Sequence, residues 1–540
     1  MKKQIVKVRE VIRKLMGKIL PRGIFKFVES PLWHFYIIIF FIFLLTEPPI
    51  FFSLLYANNL KITNVALAFQ DTNAGTATIQ FDISWDNSWR DSLNYDAVWV
   101  FIKYSSDQGE TWGHATLKRG GINPLGFGGG TGVEVDIIVP PDRKGCFIQR
   151  ASIGSGRVEV KGIQVVWDYK QDNVDAHSLS KIGLKIFGIE MVYIPEGAFF
   201  AGDNQASPSA FDQGSAPQEK DPWYIQSEGA IYVENTLENG YYYNSGGNIG
   251  ENSSGDEFVI PASFPKGFSA FYIMKYEITQ GQYADFLNTL TPLQSARRYP
   301  DQYGNYRYTI HHTDSGYIAE RPYRACNYLS WMDLCAYADW SALRPMTELE
   351  FEKAARGKDI FPKEGELSWG TTSITPATTI VGAEDGTETV ANIQANCVFG
   401  NQTFSGGDGG NGPLRVGIFA TSTSTRQLSG GSYYGVMELS GNVWEHCVTV
   451  GNDTGRAFQG GLGDGVLETA SGYEGNATNP DWPGYVKGQG VERAIGSGFK
   501  GGSWLETDIS KLAISDRSEA ARISELRESD VGGRCVRDSP

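Results

Sequence analysis

Six cysteines and six histidines are the soft and imidazole ligands available to this 540-residue chain, and their spacing limits its chemistry. His311 and His312 are adjacent, so on a strand their side chains diverge rather than share an ion. His446 precedes Cys447, a pairing that could in principle serve redox or metal chemistry; the plainer reading is a packed loop position. The sequence contains no His-x3-His-x-Glu or His-Glu-x-x-His element, no Gly-x-Ser-x-Gly elbow and no Walker loop. Glu348, Glu350 and Glu352 stand beside Lys353 and Arg356, a pattern that reads as the solvated charged face of a helix.

The elements that would position such groups are legible. Thr347 followed by Glu350 is a capping box that predicts a helix over 348–356. Trp331, Leu334, Cys335 and Ala338 fall at helical spacing and give one apolar face. With 64 glycines, 26 tyrosines and 13 tryptophans, the chain suits a loop-heavy domain packed around aromatics. Residues 244–255 and 400–412 read as surface loops. Upstream, 76–85, 97–105, 133–140, 146–152 and 158–169 are short β-branched and aromatic runs separated by Asp, Asn, Gly and Pro. Their spacing predicts a small antiparallel β-sandwich over 58–188, with 170–188 as the connection onward. Trp85, Trp89, Trp99 and Trp112 could form a sugar-stacking face, but as aromatics in a sandwich they read as core.

Length predicts two or three domains. A net charge of −15 argues against binding a nucleic-acid backbone. Residues 1–57 differ: Lys2, Lys3, Lys7, Arg9, Arg13, Lys14, Lys18, Arg22 and Lys26 precede PLWHFYIIIFFIFLL, and a second apolar run ends at Ala57. This predicts a signal peptide or an N-terminal membrane anchor, and hence export to the periplasm, cell surface or medium. The membrane would be touched only through that segment.

Five blocks then occur in order: MVYIPEGAFFAGD (191–203), FYIMKYEITQGQYADFLN (271–288), NYLSWMDLCAYADWSALRPMTELEFEKAARG (327–357), YGVMELSGNVWEH (434–446), and a tail with Gly-Gly-Ser-Trp and Gly-Gly-Arg-Cys-Val-Arg. Together they resemble the formylglycine-generating enzyme, or sulfatase-modifying factor, family. The resemblance implies an α+β fold of C-type-lectin-like kind over 189–540, preceded by the β-sandwich, with 204–262 as an inserted lobe or long loop. Catalytic members of the family carry Cys-x4-Cys after Gly-Gly-Ser-aromatic and use it to bind copper and oxidise a substrate cysteine. Aligned on Gly501 to Trp504, the two positions here are Glu506 and Lys511. Neither a carboxylate nor an ammonium replaces a thiolate, so the resemblance implies a kept fold without copper.

The resemblance also implies calcium. One site would use Asn392, the carbonyl of Ile393, Asp408 and the carbonyl of Gly410. A second would use Glu438, Gly441, Val443 and Glu445, with the Leu439 carbonyl near. Such mixed oxygen donors suit a hard cation. The family's closing half-cystine corresponds to Cys535, and its usual partner position is Ala338. Cys335 lies one helical turn away, so a Cys335–Cys535 disulfide is expected, against the alternative of two buried thiols.

In this fold the region from Trp504 to Asp530 lines an exposed face. Here it carries Trp504, Leu505, Glu506, Thr507, Asp508, Ser510, Lys511, Ser515, Asp516, Glu519, Ser524 and Glu528, a candidate surface for a protein or glycan ligand. Three functions follow from the sequence. One is an exported, calcium-stabilised binding or envelope-structural scaffold. Another is a receptor-type variable protein of a diversity-generating retroelement, whose tail is mutagenised. The third is an oxidase acting on a protein cysteine, which would need other thiols at its site.

Overall fold

The computed structural model describes residues 59–203, 210–214, 221–236, 240–243, 251, 253, 255–421 and 423–540. The basic and apolar segment 1–57 lies outside the described residues. Among the described residues no helix is long and apolar enough to cross a membrane.

Alternation builds the first part. Strands β1 (Lys61–Asp71), β2 (Thr76–Arg90) and β3 (Asp96–Ser105) lead into β4 (Val135–Val139), β5 (Cys146–Arg150) and β6 (Gly154–Trp167). In β2, Ala77, Ile79, Phe81, Ile83 and Trp85 are buried while the intervening Thr78, Gln80, Asp82 and Ser84 are not. That period of two places one face on a core. β2 pairs with β1 and β6; opposite Asp82, β6 takes an extra residue at Gly162, whose φ of 73° sits at the register shift. β3 is different, being buried along nearly its whole length. Val98, Val100 and Ile102 join the β2–β6 cluster, whereas Ala97, Trp99 and Phe101 join a second core on the other face. Each large side chain in these clusters contributes about 1.5–3 kcal/mol.

The second core belongs to the rest of the chain. Strand β7 (Gly183–Ile194) pairs antiparallel with β3 from Gly183↔Ser105 to Val192↔Asp96, and its last four residues pair with β8 (Phe271–Met274). The boundary read at 188/189 therefore falls inside one strand. A single sheet runs through β7 from the front strands to the C-terminus. Its far end is β9 (Arg344–Pro345) beside β13 (Cys535–Asp538), which pairs with β8. The described residues from 59 to 540 form one compact unit, in which β3 is buried on both faces.

Against this sheet lie α1 (Gln280–Leu287), α2 (Trp331–Trp340) and α3 (Glu348–Arg356), each opened by a complete capping box: Thr279 with Gln282, Ser330 with Asp333, and Thr347 with Glu350. The helix read over 348–356 forms with those bounds. Its charged face does not face solvent, however: every residue of α3 is buried. Glu348 pairs with Arg517 at 2.6 Å, Glu350 with Arg344 at 2.7 Å and Glu352 with Lys500 at 3.1 Å. Arg356 pairs with Glu366 at 2.6 Å. A carboxylate without water needs a charge partner, and each of these has one, for Glu348 and Glu352 from a distant segment.

The remaining core expectations divide. Trp85 and Trp99 are fully buried on opposite sides of the sheet, so no common sugar face forms; Trp112 lies nearer the surface, 4.6 Å beneath the Lys185 ammonium. Cys335 and Cys535 are not bridged. All six cysteines are buried thiols, and this pair packs as small hydrophobes in one apolar core. Within 204–262, the described strands Phe211–Gly214, Gly240–Tyr243, Ile231–Glu234 and Phe258–Ile260 make a four-stranded sheet. Phe211, Trp223 and Tyr243 are buried in the main core, so this lobe is part of the packing.

Candidate functional site

The Gly-Asn-Val-Trp-Glu turn leads into β10 (Trp444–Val448), which pairs with β11 (Ser497–Lys500) and β12 (Val531–Gly532). Glu277, after β8, fixes the turn: one oxygen accepts from the Asn442 amide at 2.5 Å, the other from the Val443 N–H at 3.1 Å. The Asn442 side-chain oxygen in turn accepts from the Leu414 N–H at 2.9 Å. Glu445 is held in a two-pronged ion pair by Arg534, both contacts at 2.6 Å. Glu438, in the left-handed region at φ 57°, accepts from the Gly417 N–H at 2.7 Å with one oxygen. Its other oxygen is buried without a hydrogen-bond partner. Burial pushes all three carboxyls above their ordinary range, Glu277 most strongly, with mutual repulsion adding and Arg534 opposing.

The two calcium sets behave differently. In the first, Asp408 is gripped by Arg307 and, at 2.5 Å, by Arg324, and both guanidiniums also bind Glu384. Burial alone would raise the Asp408 carboxyl, but the two arginines hold it below the usual value. The Asn392 side chain accepts from Thr378 N–H and donates to the Pro376 carbonyl, Ile393 is exposed, and the Gly410 N–H bonds Asp408. Two cations already neutralise the only carboxylate of the set, so these residues do not fit a metal ion. In the second set, the two carboxylates Glu438 and Glu445 share one paired arginine near Glu277, and Glu438 has an unused oxygen. That donor set, with the backbone carbonyls of Leu439, Gly441 and Val443 in the same turn, fits a hard cation. Glu445 is the weaker member, being engaged by Arg534. Among the described residues no three His, Cys, Asp or Glu side chains come together as a metal group, so any ion here would depend on backbone oxygens.

The tail surface begins directly beneath this turn. Ser503 donates to Asp530 at 2.8 Å, and the Trp504 N–H bonds the Asn442 carbonyl at 2.8 Å. Trp504 is itself buried, tilted against Tyr306, and does not face solvent as read from sequence. Ser515 is buried too, donating to Asp203, and Ser524 is buried against Glu528. These three belong to the support. Leu505, Thr507, Asp508 and Ser510 are exposed, with Asp508 capping the short 3-10 helix Ile509–Leu512.

Glu506 and Lys511 are half-buried and bonded. The Trp444 indole donates to Glu506 at 3.2 Å, and partial burial raises that carboxyl. The Lys511 ammonium donates to Ser518 at 2.5 Å and reaches Glu519 at 3.5 Å. From Glu519 the charges continue to Arg522 at 3.6 Å and on to Glu528 at 2.8 Å. Asp516 bonds Ser518 at 2.8 Å. Arg522, Trp444 and Asp530 were not singled out in the sequence. For Arg522 the signal existed: it follows Glu519 by three residues and lies between two acids. Trp444 carried no such signal, because its role depends on a strand pairing.

No thiol is exposed on this face, although Cys397 is buried beneath it against Leu512. Burial raises all six thiols above their ordinary range, most of them strongly. His446 is buried on β10 between Trp331 and Phe499, with Nε2 3.0 Å from the Leu329 carbonyl, and burial lowers it to about 4. It is a packed neutral imidazole, on a strand rather than a loop.

A family model for the sulfatase-modifying factor enzyme 1-like domain matches residues 237–539, more than half of the chain. The formylglycine-generating enzyme of Thermomonospora curvata is 31% identical over 134 residues, 24% of this chain and 35% of that enzyme. The match thus spans about a third of the curated relative's length. The crystal structure of CarF covers 64% of this chain and 99% of its own at 14% identity, with a TM-score of 0.24.

Proposed function

The chain belongs to the sulfatase-modifying factor family, and from that premise we propose that it is a member that binds rather than oxidises. It is an exported scaffold whose surface from Leu505 to Glu528 takes a protein or glycan ligand, and whose Glu438 turn is stabilised by calcium. The observation that carries this reading is the state of Glu506 and Lys511. Each is tied into a hydrogen-bonded network, and every thiol of the chain is buried. Cysteine chemistry needs an accessible thiolate, whereas a rigid floor topped by short polar groups is what recognition uses. Export rests on the basic and apolar character of residues 1–57 alone.

Copper, dioxygen and a cysteine-containing sulfatase-type peptide, incubated with the purified protein, test this directly. No aldehyde in the peptide is the expected result. Aldehyde formation would return the oxidase reading and direct attention to a thiol that leaves the core. Calcium is tested in parallel by thermal unfolding with and without a chelator. A lower melting temperature with chelator is expected, and Glu438→Gln should abolish the difference, since Glu438 supplies the unused oxygen. Equal melting temperatures would remove calcium from the proposal and leave the binding surface standing.

A further inference from the structure

We propose that the free edge of β7 docks an extended segment of a partner protein as an added strand, the segment carrying a lysine or arginine between apolar residues. β7 pairs with β3 over Gly183–Val192 but with β8 only over Met191–Ile194. From Gly183 to Glu190 no described strand lies along its other edge. Two bonds fix which groups point there. The Tyr193 N–H donates to the Tyr95 carbonyl at 2.9 Å on the β3 side, and the Glu190 carbonyl accepts from the Lys275 N–H at 2.9 Å on the β8 side. Alternation along the strand then turns the N–H and C=O of Ile186 and Gly188 to the free edge.

Exposed edges are usually blunted by proline, bulges or lysine. This stretch has no proline, and its one lysine does not line the slot: Lys185 donates to the Asn288 carbonyl at the end of α1 at 3.0 Å, covers the Trp112 ring and offsets part of the Asp285 charge. Instead the edge lines a cavity of about 330 Å³, whose far wall is Thr279, Gly281, Gln282 and Asp285 at the start of α1. Leu60 and Ile62 supply an apolar wall on one face of the strand, and Phe101 and Trp340 on the other. A guest strand would alternate its side chains between those walls while its backbone paired with Ile186 and Gly188, the usual mode of strand addition. Charge adds a preference. The slot is lined by Glu190 and Asp285 and by no lysine or arginine. Glu190 is only 5% exposed, and one of its oxygens receives no hydrogen bond, although Lys275 is 3.6 Å away. A basic side chain on the guest would supply that donor.

The test is to pan a displayed random peptide library against the purified full chain. Enriched peptides should alternate apolar residues around a basic one. Their binding should slow hydrogen exchange in the fragment containing Ile186 and Gly188 at least tenfold. Ile186→Pro removes the N–H that aims into the slot and breaks no ladder bond, so it should weaken binding at least tenfold. Asp285→Trp fills the slot from the helix side and should do the same, which keeps the test valid if the proline variant does not fold. The proposal is overturned if no such peptides enrich, or if enriched peptides bind both variants unchanged. It is also overturned if the Ile186–Gly188 fragment is already protected in the free chain, because another part of the chain or a second copy would then hold the edge.

Discussion

The core beneath β3 and the surroundings of α3 are built from different materials. Between the β1–β2–β6 sheet and the face of β3 that carries Val98 and Val100, the buried groups are almost all hydrocarbon and aromatic. Around α3, by contrast, Glu348, Glu350, Glu352 and Arg356 are as deeply buried as any leucine and are tied to Arg517, Arg344, Lys500 and Glu366. The apolar core tolerates approximate partners, since dispersion and water exclusion are not directional. The ionic one does not, since each charge is stable only while its counter-ion stays in place. Loop-rich architecture follows from this. Long irregular segments such as 501–530 are pinned by buried ion pairs and side-chain-to-backbone bonds where regular pairing cannot hold them.

The contrast is broken most sharply at Glu348. Glu348→Ala leaves the Arg517 guanidinium buried between the Phe211 and Tyr243 rings without its carboxylate. Denaturant unfolding should register a loss of about 3–5 kcal/mol. Replacing both partners, as Glu348→Leu with Arg517→Met, should recover most of that loss, because a well-packed apolar pair avoids desolvating two ions. If the double variant is as unstable as Glu348→Ala, the ionic core owes its stability to something other than charge pairing. In the apolar core, Ile79→Ala should cost about 3 kcal/mol, within the range for such truncations, with a cost set by the cavity left behind. Ile79→Val there should be mild, at about 1 kcal/mol.

How much of this was legible follows the same division. The alternation of β2 is written in its residues, and the capping box at Thr347 gave α3 its bounds. Neither needs distant context. The charges of α3 were misread because Glu348, Glu350 and Glu352 look the same in sequence whether water or Arg517, Arg344 and Lys500 face them. The partners are up to about 170 residues away, and no local pattern encodes that. The joint at β7 was missed for a related reason. GLKIFGIEMVYI reads as a connection followed by a strand until β3 is known to pair along nearly all of it. The Glu438 turn was singled out because its motif is contiguous. The Asp408 set was assigned to a cation because Arg307 and Arg324, which neutralise it, come from other loops.

A pH scan extends the comparison to a single buried charge on the sheet. Lys103, on β3, is buried, and desolvation lowers its ammonium to about 7 despite the opposing charge of Asp339. Its folded value lies below its unfolded one, so the unfolded state holds the extra proton between about pH 7 and pH 10. Stability should therefore rise with pH across that window, at a slope approaching about 1.4 kcal/mol per pH unit. Lys103→Met keeps the buried volume and removes the titration, so its unfolding free energy should lose that rise. An unchanged slope in the variant would assign it to other groups.

The smallest stability effect belongs to the tail surface, and its smallness is the point. Lys511, Glu519 and Arg522 make ion pairs at 3.5–3.6 Å with a fifth to a third of each side chain exposed. Pairs of this kind contribute about 0–1 kcal/mol, because water and salt screen them and ordering two long side chains has an entropic cost. Lys511→Ala should therefore change the unfolding free energy by less than about 0.5 kcal/mol, measured against Glu348→Ala in the same buffer. A charged network that the fold does not need is free to be shaped by what it contacts, whereas the Arg517–Glu348 pair a few residues away is not. A loss from Lys511→Ala as large as that from Glu348→Ala would make the tail part of the ionic core, and the ligand surface would have to be sought elsewhere on the molecule.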